Sequence, residues 1–338
     1  MRIGFLGAGS WGTALSVLVA NNGHDVFLWS AVEAELTLLS TKREHTERLP
    51  GVKLPDNIYI ERDLKKACTD MDLIVFSVAS PYVRSVADMA AEYIKDGQKI
   101  VNVGKGIEEN TLYTLSHVLK EVLPECDIAV LSGPSHAEEV VKGVPTTVVV
   151  GAASKETALY VQDIFMNDKF RVYINPDIIG IELGGAIKNV IALAAGIVDG
   201  LGLGDNTRAA LMTRGLAEIS RLGVAMGGKP ETFSGLSGIG DLIVTCTSSH
   251  SRNHSAGYLM GKGLTAKEAM EEVKQVVEGV YSAKAVASLA EKYNVDMPIV
   301  EQINDVLFKN KTAKQALDEL FERDRKMEYS CMEWKNFC

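Results

Sequence analysis

The most constraining feature of this sequence is a G-x-G-x-x-G motif near its N-terminus, formed by Gly7, Gly9 and Gly12. The motif follows a short apolar segment, Arg2–Leu6, and opens a helical pattern over Ser10–Asn22. In such a strand–turn–helix unit the first glycine permits a tight turn, the second lets a pyrophosphate approach the backbone, and the third lets the helix pack closely on the sheet. The free N–H groups of the helix would hold the phosphates. This setting favours a dinucleotide-binding loop over a glycine-rich turn without a ligand.

Strand-like and helical segments alternate through the first half of the chain. The apolar or β-branched segments of strand length are Arg2–Leu6, Val26–Trp29, Leu73–Val78, Lys99–Val103, Ile128–Leu131, Thr146–Val150 and Arg171–Ile174. Helical patterns separate them at Ser10–Asn22, Val83–Ile94, Thr111–Leu123, Ser135–Val141 and Lys155–Met166. This alternation predicts a mainly parallel sheet covered by helices on both faces. The polar stretch Thr41–Asn57 is predicted to be a long loop.

The pattern changes near residues 176–185, because strand signals nearly vanish after Pro176. Helical patterns follow at Ile178–Val198, Thr207–Met226, Ala256–Gly261, Ala266–Val273, Ser282–Tyr293, Val300–Leu307 and Ala313–Leu320. We therefore expect a dinucleotide-binding α/β domain over residues 1–180 and an all-α substrate domain over residues 181–338. A length of 338 residues agrees with two domains of roughly 100–200 residues each.

Composition excludes several classes of protein. The chain has 35 Lys and Arg against 44 Asp and Glu, a net charge of −9, whereas nucleic-acid-binding domains usually carry a basic surface. Its cysteines show no C-x-x-C spacing, so free thiols in a reducing, cytoplasmic setting are predicted for Cys68, Cys126, Cys246, Cys331 and Cys338. No membrane span is expected, since no unbroken apolar run of about 18 residues occurs. The apolar N-terminal stretch superficially resembles a signal peptide, but its glycines interrupt it.

The end of the second strand normally carries the residue that contacts the adenosine ribose of a dinucleotide. An Asp or Glu there favours NAD, and an Arg favours NADP. Here Ser30 and Ala31 follow Trp29, and Glu33 comes a few residues later, on a predicted solvated helix face. The absence of a carboxylate at the strand tip favours NADP.

Two lysines lie in neutral surroundings. Lys105 stands between two glycines directly after a strand, where ligands of open α/β sheets bind; a solvated turn is the alternative. Lys188 is the one charge in the apolar helical stretch Leu183–Ala195, and either a functional role or a snorkelling side chain would explain it. As a proton acceptor Lys188 must lose its proton, although the pKa of a free lysine is about 10.4. Desolvation and a neighbouring cation such as Lys105 would both lower that pKa.

A glycine-rich segment and a polar turn follow in the second half. Asp241 comes after this segment and would either cap a helix or orient Lys188. Arg252 and Asn253 open a predicted helix, and a guanidinium beside a helix N-terminus suits a phosphate; a solvated arginine is the alternative. His136, His250 and His254 do not have the spacing of metal ligands, so no metal site is predicted.

Several ordered motifs together point to a known family. They are Gly7–Ala14, Arg48–Gly51, Leu54–Asn57, Lys105–Glu108, Ser132–Ser135 with Ala137, Glu182–Asn189, Gly202–Asn206, Gly238–Leu242, Ser251–Asn253 and Val277–Gly279. Over nearly its whole length the chain resembles the NAD(P)-dependent glycerol-3-phosphate dehydrogenases of the bacterial type. The resemblance implies a Rossmann-type α/β domain followed by an all-α domain like the C-terminal domain of 6-phosphogluconate dehydrogenase, with the active site between them.

The resemblance also implies an activity and its setting. Members of this family reversibly oxidise the C2 hydroxyl of sn-glycerol 3-phosphate to the ketone of dihydroxyacetone phosphate with NAD or NADP. The expected setting is a cytoplasmic homodimer that binds a small phosphorylated substrate and supplies glycerophospholipid synthesis.

Site residues follow from the same resemblance. Lys188 would be the proton acceptor, with Lys105 and Asp241 assisting catalysis. The expected substrate contacts are Lys105, Gly133, Ser135, Lys188, Asn189, Asp241, Ser251, Arg252 and Asn253. The expected dinucleotide contacts are Gly7, Gly9, Ser10, Trp11, Gly12, Lys105, Ala137, Arg252, Val276 and Glu278. The sequence departs from the family at Ser30-Ala31, where a basic residue often contacts the adenosine 2′-phosphate; Lys42 or Arg43 would be the substitute.

Two other functions remain open at this point. One is a related dehydrogenase of a 3-hydroxyacid or sugar acid, and the other is a dinucleotide-sensing protein without catalysis. The Lys105–Glu108 and Ser251–Asn253 motifs disfavour the first, because carboxylate substrates need no phosphate site. The presence of both Lys188 and Asp241 disfavours the second. We also expect the cleft between the domains to be locally positive, since the cations of the site have few carboxylates beside them in the sequence.

Overall fold

The computed structural model describes residues 1–325 and 327–328. Its strands are β1 (Arg2–Leu6), β2 (Asp25–Trp29), β3 (Ile58–Glu61), β4 (Leu73–Phe76), β5 (Lys99–Asn102), β6 (Asp127–Ser132), β7 (Thr146–Ala152) and β8 (Phe170–Asn175). The helices of the first half are α1 (Ser10–Asn21), α2 (Glu33–Lys42), α3 (Leu64–Cys68), α4 (Val83–Ala90), α5 (Leu115–Val122), α6 (Ala137–Val140) and α7 (Lys155–Phe165). Those that follow are α8 (Ile178–Gly200), α9 (Asp205–Ala225), α10 (Pro230–Phe233), α11 (Asp241–Thr247), α12 (Arg252–Gly261), α13 (Ala266–Val273), α14 (Glu278–Lys292), α15 (Pro298–Phe308) and α16 (Ala313–Phe321).

The eight strands form one sheet in the order β3-β2-β1-β4-β5-β6-β7-β8. All neighbouring pairs are parallel except β6 and β7. The strand order reverses between β1 and β4, and such a switch point opens a crevice at the carboxyl ends of the strands. The glycine motif follows β1 and therefore lies at this crevice.

Both faces of the sheet are buried, which explains the nearly continuous apolar character of its strands. Along β4, Leu73 and Val75 join the core on the face of α1 and α7, whereas Ile74 and Phe76 join the core on the face of α3, α4 and α5. This arrangement is typical of a doubly wound sheet and confirms the predicted Rossmann-type architecture.

All described residues after β8 are helical or in connecting loops, and α8 is the central element of this half. It packs against α9, α11, α12 and α14, and nearly all of its side chains are buried. Helix α8 is long and apolar enough to cross a membrane, but 89% of its most apolar window is buried inside the protein. The 23 residues therefore act here as the core helix of an all-α half.

Three elements of the first half were not predicted. Helix α2 has only three buried side chains, so its sequence lacks a clear apolar face, and α3 and β3 have just five and four residues. The predicted loop Thr41–Asn57 begins two residues later, because α2 continues to Lys42; residues 43–57 are irregular apart from an isolated bridge between Glu44 and Lys53. In the second half α10 and α11 were also missed.

The described cysteines, Cys68, Cys126 and Cys246, are buried free thiols, as predicted. Cys331 and Cys338 lie outside the described residues, as does the end of the segment assigned to the second domain.

Candidate active site

The glycine motif has the geometry expected of a phosphate-binding loop. A Cβ atom on Gly7 would lie 2.7 Å from the backbone nitrogen of Val78, and one on Gly12 would lie 2.1 Å from the carbonyl oxygen of Gly7. Gly7 also has a φ of +120°, which favours glycine. A Cβ on Gly9 would meet only the guanidinium of Arg48, so this glycine leaves space above the loop instead of filling it. Helix α1 begins here with no side-chain cap, so its first N–H groups are available to an anion.

The buried centre of the site is a carboxylate between two ammonium groups. Asp241 places Oδ1 2.5 Å from Nζ of Lys188 and Oδ2 2.7 Å from Nζ of Lys105. Lys188 projects from α8, Asp241 begins α11, and Lys105 follows β5, so the cluster joins the sheet half to the helical half. Of the two readings of Asp241, the structure supports orientation of Lys188, because the residue before α11 is Gly240 and Asp241 is 1% exposed.

The approach of Asp241 to α8 depends on the glycine-rich segment before it. Leu236–Gly240 forms a π-helical turn against α8, where a Cβ on Gly184 would lie 2.5 Å from the carbonyl oxygen of Ser237. A Cβ on Gly238 would lie 2.0 Å from the carbonyl oxygen of Phe233. Side chains at these glycines would push Asp241 away from Lys188.

Thr245 belongs to the same cluster and was missed from the sequence. Its Oγ1 lies 2.6 Å from Nζ of Lys188 and donates to the carbonyl oxygen of Asp241, also at 2.6 Å. A signal existed, because Thr245 follows Asp241 by four residues and therefore shares its face of α11.

Burial and charge together set the protonation of these groups. Desolvation lowers the pKa of Lys188 to about 8; the Asp241 carboxylate opposes this shift, and the Lys105 ammonium adds to it. Burial alone would raise the pKa of Asp241, but the two ammonium groups outweigh burial and hold that pKa below its usual range. Lys188 can therefore exchange a proton near neutral pH while Asp241 stays ionised.

Two asparagines connect the cluster to its surroundings. Asn189 donates from Nδ2 to the carbonyl oxygen of Lys105 at 3.4 Å and accepts from Nδ2 of Asn253 at 3.1 Å. Asn253 also accepts from the backbone N–H of Gly279 at 2.8 Å. These amides fix the positions of the Lys105 loop, α12 and the start of α14 relative to α8.

Ser251 and Arg252 lie at the N-terminus of α12, as the sequence predicted. The buried Ser251 accepts from the backbone N–H of His254 at 3.2 Å and so caps the helix. Arg252 is exposed and lines a cavity of about 490 Å³ that His250, His254 and Tyr258 also line. Burial nevertheless lowers the pKa of the Arg252 guanidinium, so protein atoms surround the charged group while part of the side chain faces this cavity.

The remaining predicted residues surround this centre. The carbonyl oxygen of Gly133 accepts from Nζ of Lys105 at 2.9 Å and from Oγ of Ser135 at 2.8 Å. Ala137 begins α6 and is buried. Glu278 begins α14 after the half-buried Val276, and its carboxylate accepts from the backbone N–H and the hydroxyl of Ser80.

At the tip of β2, one of the two predicted substitutes for a 2′-phosphate-binding residue is already occupied by other contacts. Glu33 is exposed and pairs with Arg62, in agreement with a solvated helix face. Arg43 was a candidate for 2′-phosphate recognition, but its guanidinium donates to the carbonyl oxygens of Ile58 and Pro55 at 2.7 and 2.5 Å and is occupied there. Lys42 is exposed at the end of α2.

The residues that are present fit a dinucleotide. Ser10 is the first residue of α1, and Trp11 is half-buried next to it. The indole N–H of Trp11 is buried and finds no acceptor within the part of the chain that the structure describes. Among those same residues, no group of three or more His, Cys, Asp or Glu side chains could hold a metal ion.

Comparison with known proteins agrees with this geometry. The model of the NAD-dependent glycerol-3-phosphate dehydrogenase N-terminus matches residues 2–158, and the model of the C-terminus matches residues 177–318. A glycerol-3-phosphate dehydrogenase [NAD(P)+] of Agathobacter rectalis is 59% identical over 334 residues, covering 99% of each chain. The enzyme of the same name from Fusobacterium nucleatum is 55% identical, covering 97% of this chain and 98% of that one.

A solved structure shows the same architecture. The crystal structure of glycerol-3-phosphate dehydrogenase from Coxiella burnetii has a TM-score of 0.93 and 38% sequence identity, covering 95% of this chain and 99% of that chain. The expected all-α C-terminal half is thereby confirmed along with the Rossmann-type half. The chain belongs to the NAD-dependent glycerol-3-phosphate dehydrogenase family and is an NAD(P)-dependent oxidoreductase that acts on a CH–OH group.

Proposed function

We propose that this enzyme reduces dihydroxyacetone phosphate to sn-glycerol 3-phosphate with NAD(P)H and also catalyses the reverse oxidation. The observation that carries the proposal is the buried Lys188, held by Asp241 and Thr245 between the sheet half and the helical half. A carbonyl reduced at this point needs a proton donor, and a lysine with a pKa near neutrality is suited to that task.

In the mechanism that we propose, each side chain has one task. The hydride for C2 would come from a nicotinamide bound beside these residues. The ammonium of Lys188 donates its proton to the C2 oxygen during reduction, and the neutral amine accepts that proton during oxidation. Lys105 stabilises the negative charge that develops on this oxygen, and Asp241 orients both lysines.

Phosphate binding is assigned to the start of α12. Arg252 is exposed there beside the free N–H groups of a helix N-terminus, which suits a phosphate dianion. Asn189, Asn253, Ser251, Gly133 and Ser135 would complete the substrate site, with Asn189 and Asn253 also positioning its walls.

The dinucleotide would lie across the carboxyl ends of the strands. Gly9 and the N-terminus of α1 would hold the pyrophosphate, with Gly7 and Gly12 shaping the turn. The other proposed contacts are Ser10, Trp11, Lys105, Ala137, Arg252, Val276 and Glu278.

We further propose that residues 1–180 and 181–338 act as the dinucleotide and substrate domains of a cytoplasmic homodimer. The substrate would be a small phosphorylated molecule, without a nucleic acid partner or a membrane span. The product of the proposed reduction, sn-glycerol 3-phosphate, would serve as the phosphorylated glycerol for glycerophospholipid synthesis.

A substrate comparison tests the activity. NADH and NADPH oxidation would be followed by absorbance with dihydroxyacetone phosphate, with unphosphorylated dihydroxyacetone, and with a 3-keto acid. We expect turnover with the first substrate and far lower kcat/KM with the others. Preference for the keto acid would favour the related hydroxyacid dehydrogenases, and turnover with none of the three would favour a binding protein.

A further inference from the structure

A three-residue polar network lies at the tip of β2, beside the glycine motif. The backbone N–H of Gly7 donates to the carbonyl oxygen of Trp29 at 2.8 Å, so the end of β2 and the phosphate-binding turn are directly joined. In this fold the adenosine ribose of a dinucleotide lies at this corner, and the groups next to its 2′ position decide between NAD and NADP.

A carboxylate does reach this corner, although none follows β2 in the sequence. Glu35, on the first turn of α2, accepts from Oγ of Ser30 at 2.6 Å. Its other oxygen pairs with Nη2 of Arg48 at 2.7 Å. Glu35 is 8% exposed and Ser30 is 5% exposed, so the carboxylate is fixed beneath the surface and its charge is weakly screened by solvent.

Packing holds Arg48 in place over the loop. The neighbouring Leu49 is buried against Ala14 of α1 and Ala137 of α6. The segment around Arg48 is closed by the bridge between Glu44 and Lys53. As a result Nη1 of Arg48 lies 3.2 Å from where a Cβ of Gly9 would be, while Nη2 remains on Glu35.

The two charges at this corner act in opposite directions on a 2′-phosphate. The Arg48 side chain is 36% exposed and its Nη1 reaches Gly9, whereas the Arg43 guanidinium is occupied elsewhere. Glu35 neutralises this guanidinium, occupies one of its donors and repels a phosphate dianion. A 2′-hydroxyl carries no charge and is not subject to this repulsion.

We propose that Glu35 is the residue that sets dinucleotide preference in this enzyme, by restraining and neutralising Arg48. Glu35 weakens the binding of NADPH, whereas Arg48 is the group that attracts a 2′-phosphate. This assignment rests on the proposed function only in placing a dinucleotide on the glycine motif. It removes the reason for expecting NADP, because that expectation depended on the absence of a carboxylate.

Binding measurements with the intact protein test the assignment. The dissociation constants of NADH and NADPH would be measured by fluorescence titration for the wild type, Glu35→Gln, Arg48→Gln and the control Glu33→Gln. Glu33 is on the same helix but is exposed and pairs with Arg62. We expect Glu35→Gln to shift the affinity ratio about tenfold toward NADPH and Arg48→Gln to shift it about tenfold toward NADH, the size of one charge-assisted hydrogen bond.

The control Glu33→Gln should leave the ratio within about twofold of the wild type. Ratios that stay within about twofold for both Glu35→Gln and Arg48→Gln, or that move in the same direction, would overturn the proposal. If Glu35→Gln does not fold, as judged by circular dichroism, the affinity ratio of Arg48→Gln decides alone, since the Arg48 side chain is only half-buried. Because binding is measured without substrate, failure here is distinct from failure of the proposed dehydrogenase activity.

Discussion

At the scale of single residues, Lys188 has a buried side chain whose ammonium group contacts two oxygen atoms, one from Asp241 and one from Thr245. Its importance could be predicted, since the one charge in the apolar stretch Leu183–Ala195 requires a partner. The position of the partner could not, because Asp241 is 53 residues away and reaches α8 only through the packing of a π-helical turn. The four-residue spacing from Asp241 was the one signal for Thr245, and it is weak because a threonine among apolar residues is common in helices.

The lowered pKa of Lys188 predicts opposite pH dependences for the two directions of the reaction. Oxidation needs the neutral amine, so its kcat/KM should rise with pH through about 8; reduction needs the ammonium, so its kcat/KM should fall above about 8. The Asp241 carboxylate raises the pKa of Lys188, so Asp241→Asn should move both profiles to lower pH as well as reduce their height. Steady-state rates across pH measure this, and identical profiles for wild type and Asp241→Asn would contradict the assigned coupling.

Arg252→Ala should raise the KM for dihydroxyacetone phosphate by about tenfold to a hundredfold, because one charge-assisted phosphate contact is lost. The KM for unphosphorylated dihydroxyacetone should stay nearly constant, since that substrate has no phosphate. Arg171→Ala, an exposed arginine of β8, is the matched control. A normal KM for the phosphorylated substrate in Arg252→Ala would remove the phosphate role from this residue.

At the scale of elements, the crossing of α8 and α12 positions Lys188 relative to Arg252. A Cβ on Gly196 of α8 would lie 2.0 Å from the carbonyl oxygen of His254, and one on Gly257 of α12 would lie 2.1 Å from that of Leu193. The two helices therefore pack backbone to backbone. Glycine lowers the intrinsic stability of a helix, yet here it permits close packing of the α8 and α12 backbones.

Gly196→Ala should force α8 and α12 apart and lower the free energy of unfolding by about 1–3 kcal/mol or more. The control is Gly204→Ala, since Gly204 has a φ of −79° and nothing within 4 Å of its added Cβ. Thermal unfolding followed by circular dichroism compares them. If Gly196→Ala has the same melting temperature as the control, the close packing of α8 and α12 does not contribute to stability as proposed.

Long elements were predictable and short ones were not. Helices α8 and α9 each span more than 20 residues, so their apolar patterns repeat over enough turns to be recognised in the sequence. Strand β3 has four residues and α11 seven, and α11 owes its position to contacts with α8 that are remote in sequence. The antiparallel pairing of β6 with β7 was also not predicted, because the alternation of strands and helices indicates only parallel neighbours.

At the scale of the whole molecule, the cluster of Lys105, Lys188 and Asp241 is one of several polar contacts between the sheet half and the helical half. Glu182 of α8 accepts from the backbone N–H of Ser116 at 2.8 Å and from its hydroxyl, and Glu278 accepts from Ser80. Lys105 and Asp241 form the third contact. Burial raises the pKa of both glutamates, while hydrogen bonds from the serines oppose that rise.

The net charge of −9 does not oppose binding of phosphorylated ligands. Two ammonium groups share the single carboxylate of Asp241, so this cluster is positive although the protein is acidic. Proximity in space, not total charge, decides which ions a site accepts. The sequence indicated this through cations in neutral segments, whereas the convergence of these cations is a property of the folded chain.

The proposed mechanism depends most on Lys188, the group that exchanges a proton with the C2 oxygen of the substrate. Dihydroxyacetone-phosphate-dependent oxidation of NADH and NADPH would be measured for the wild type, Lys188→Ala and the control Lys267→Ala, whose wild-type side chain is 85% exposed. Fluorescence titration of the same preparations would report dinucleotide affinity. We expect Lys188→Ala to lose nearly all turnover while it binds the dinucleotide almost as tightly as the wild type and the control do. Turnover of Lys188→Ala at the wild-type rate would contradict the role of Lys188 in proton transfer.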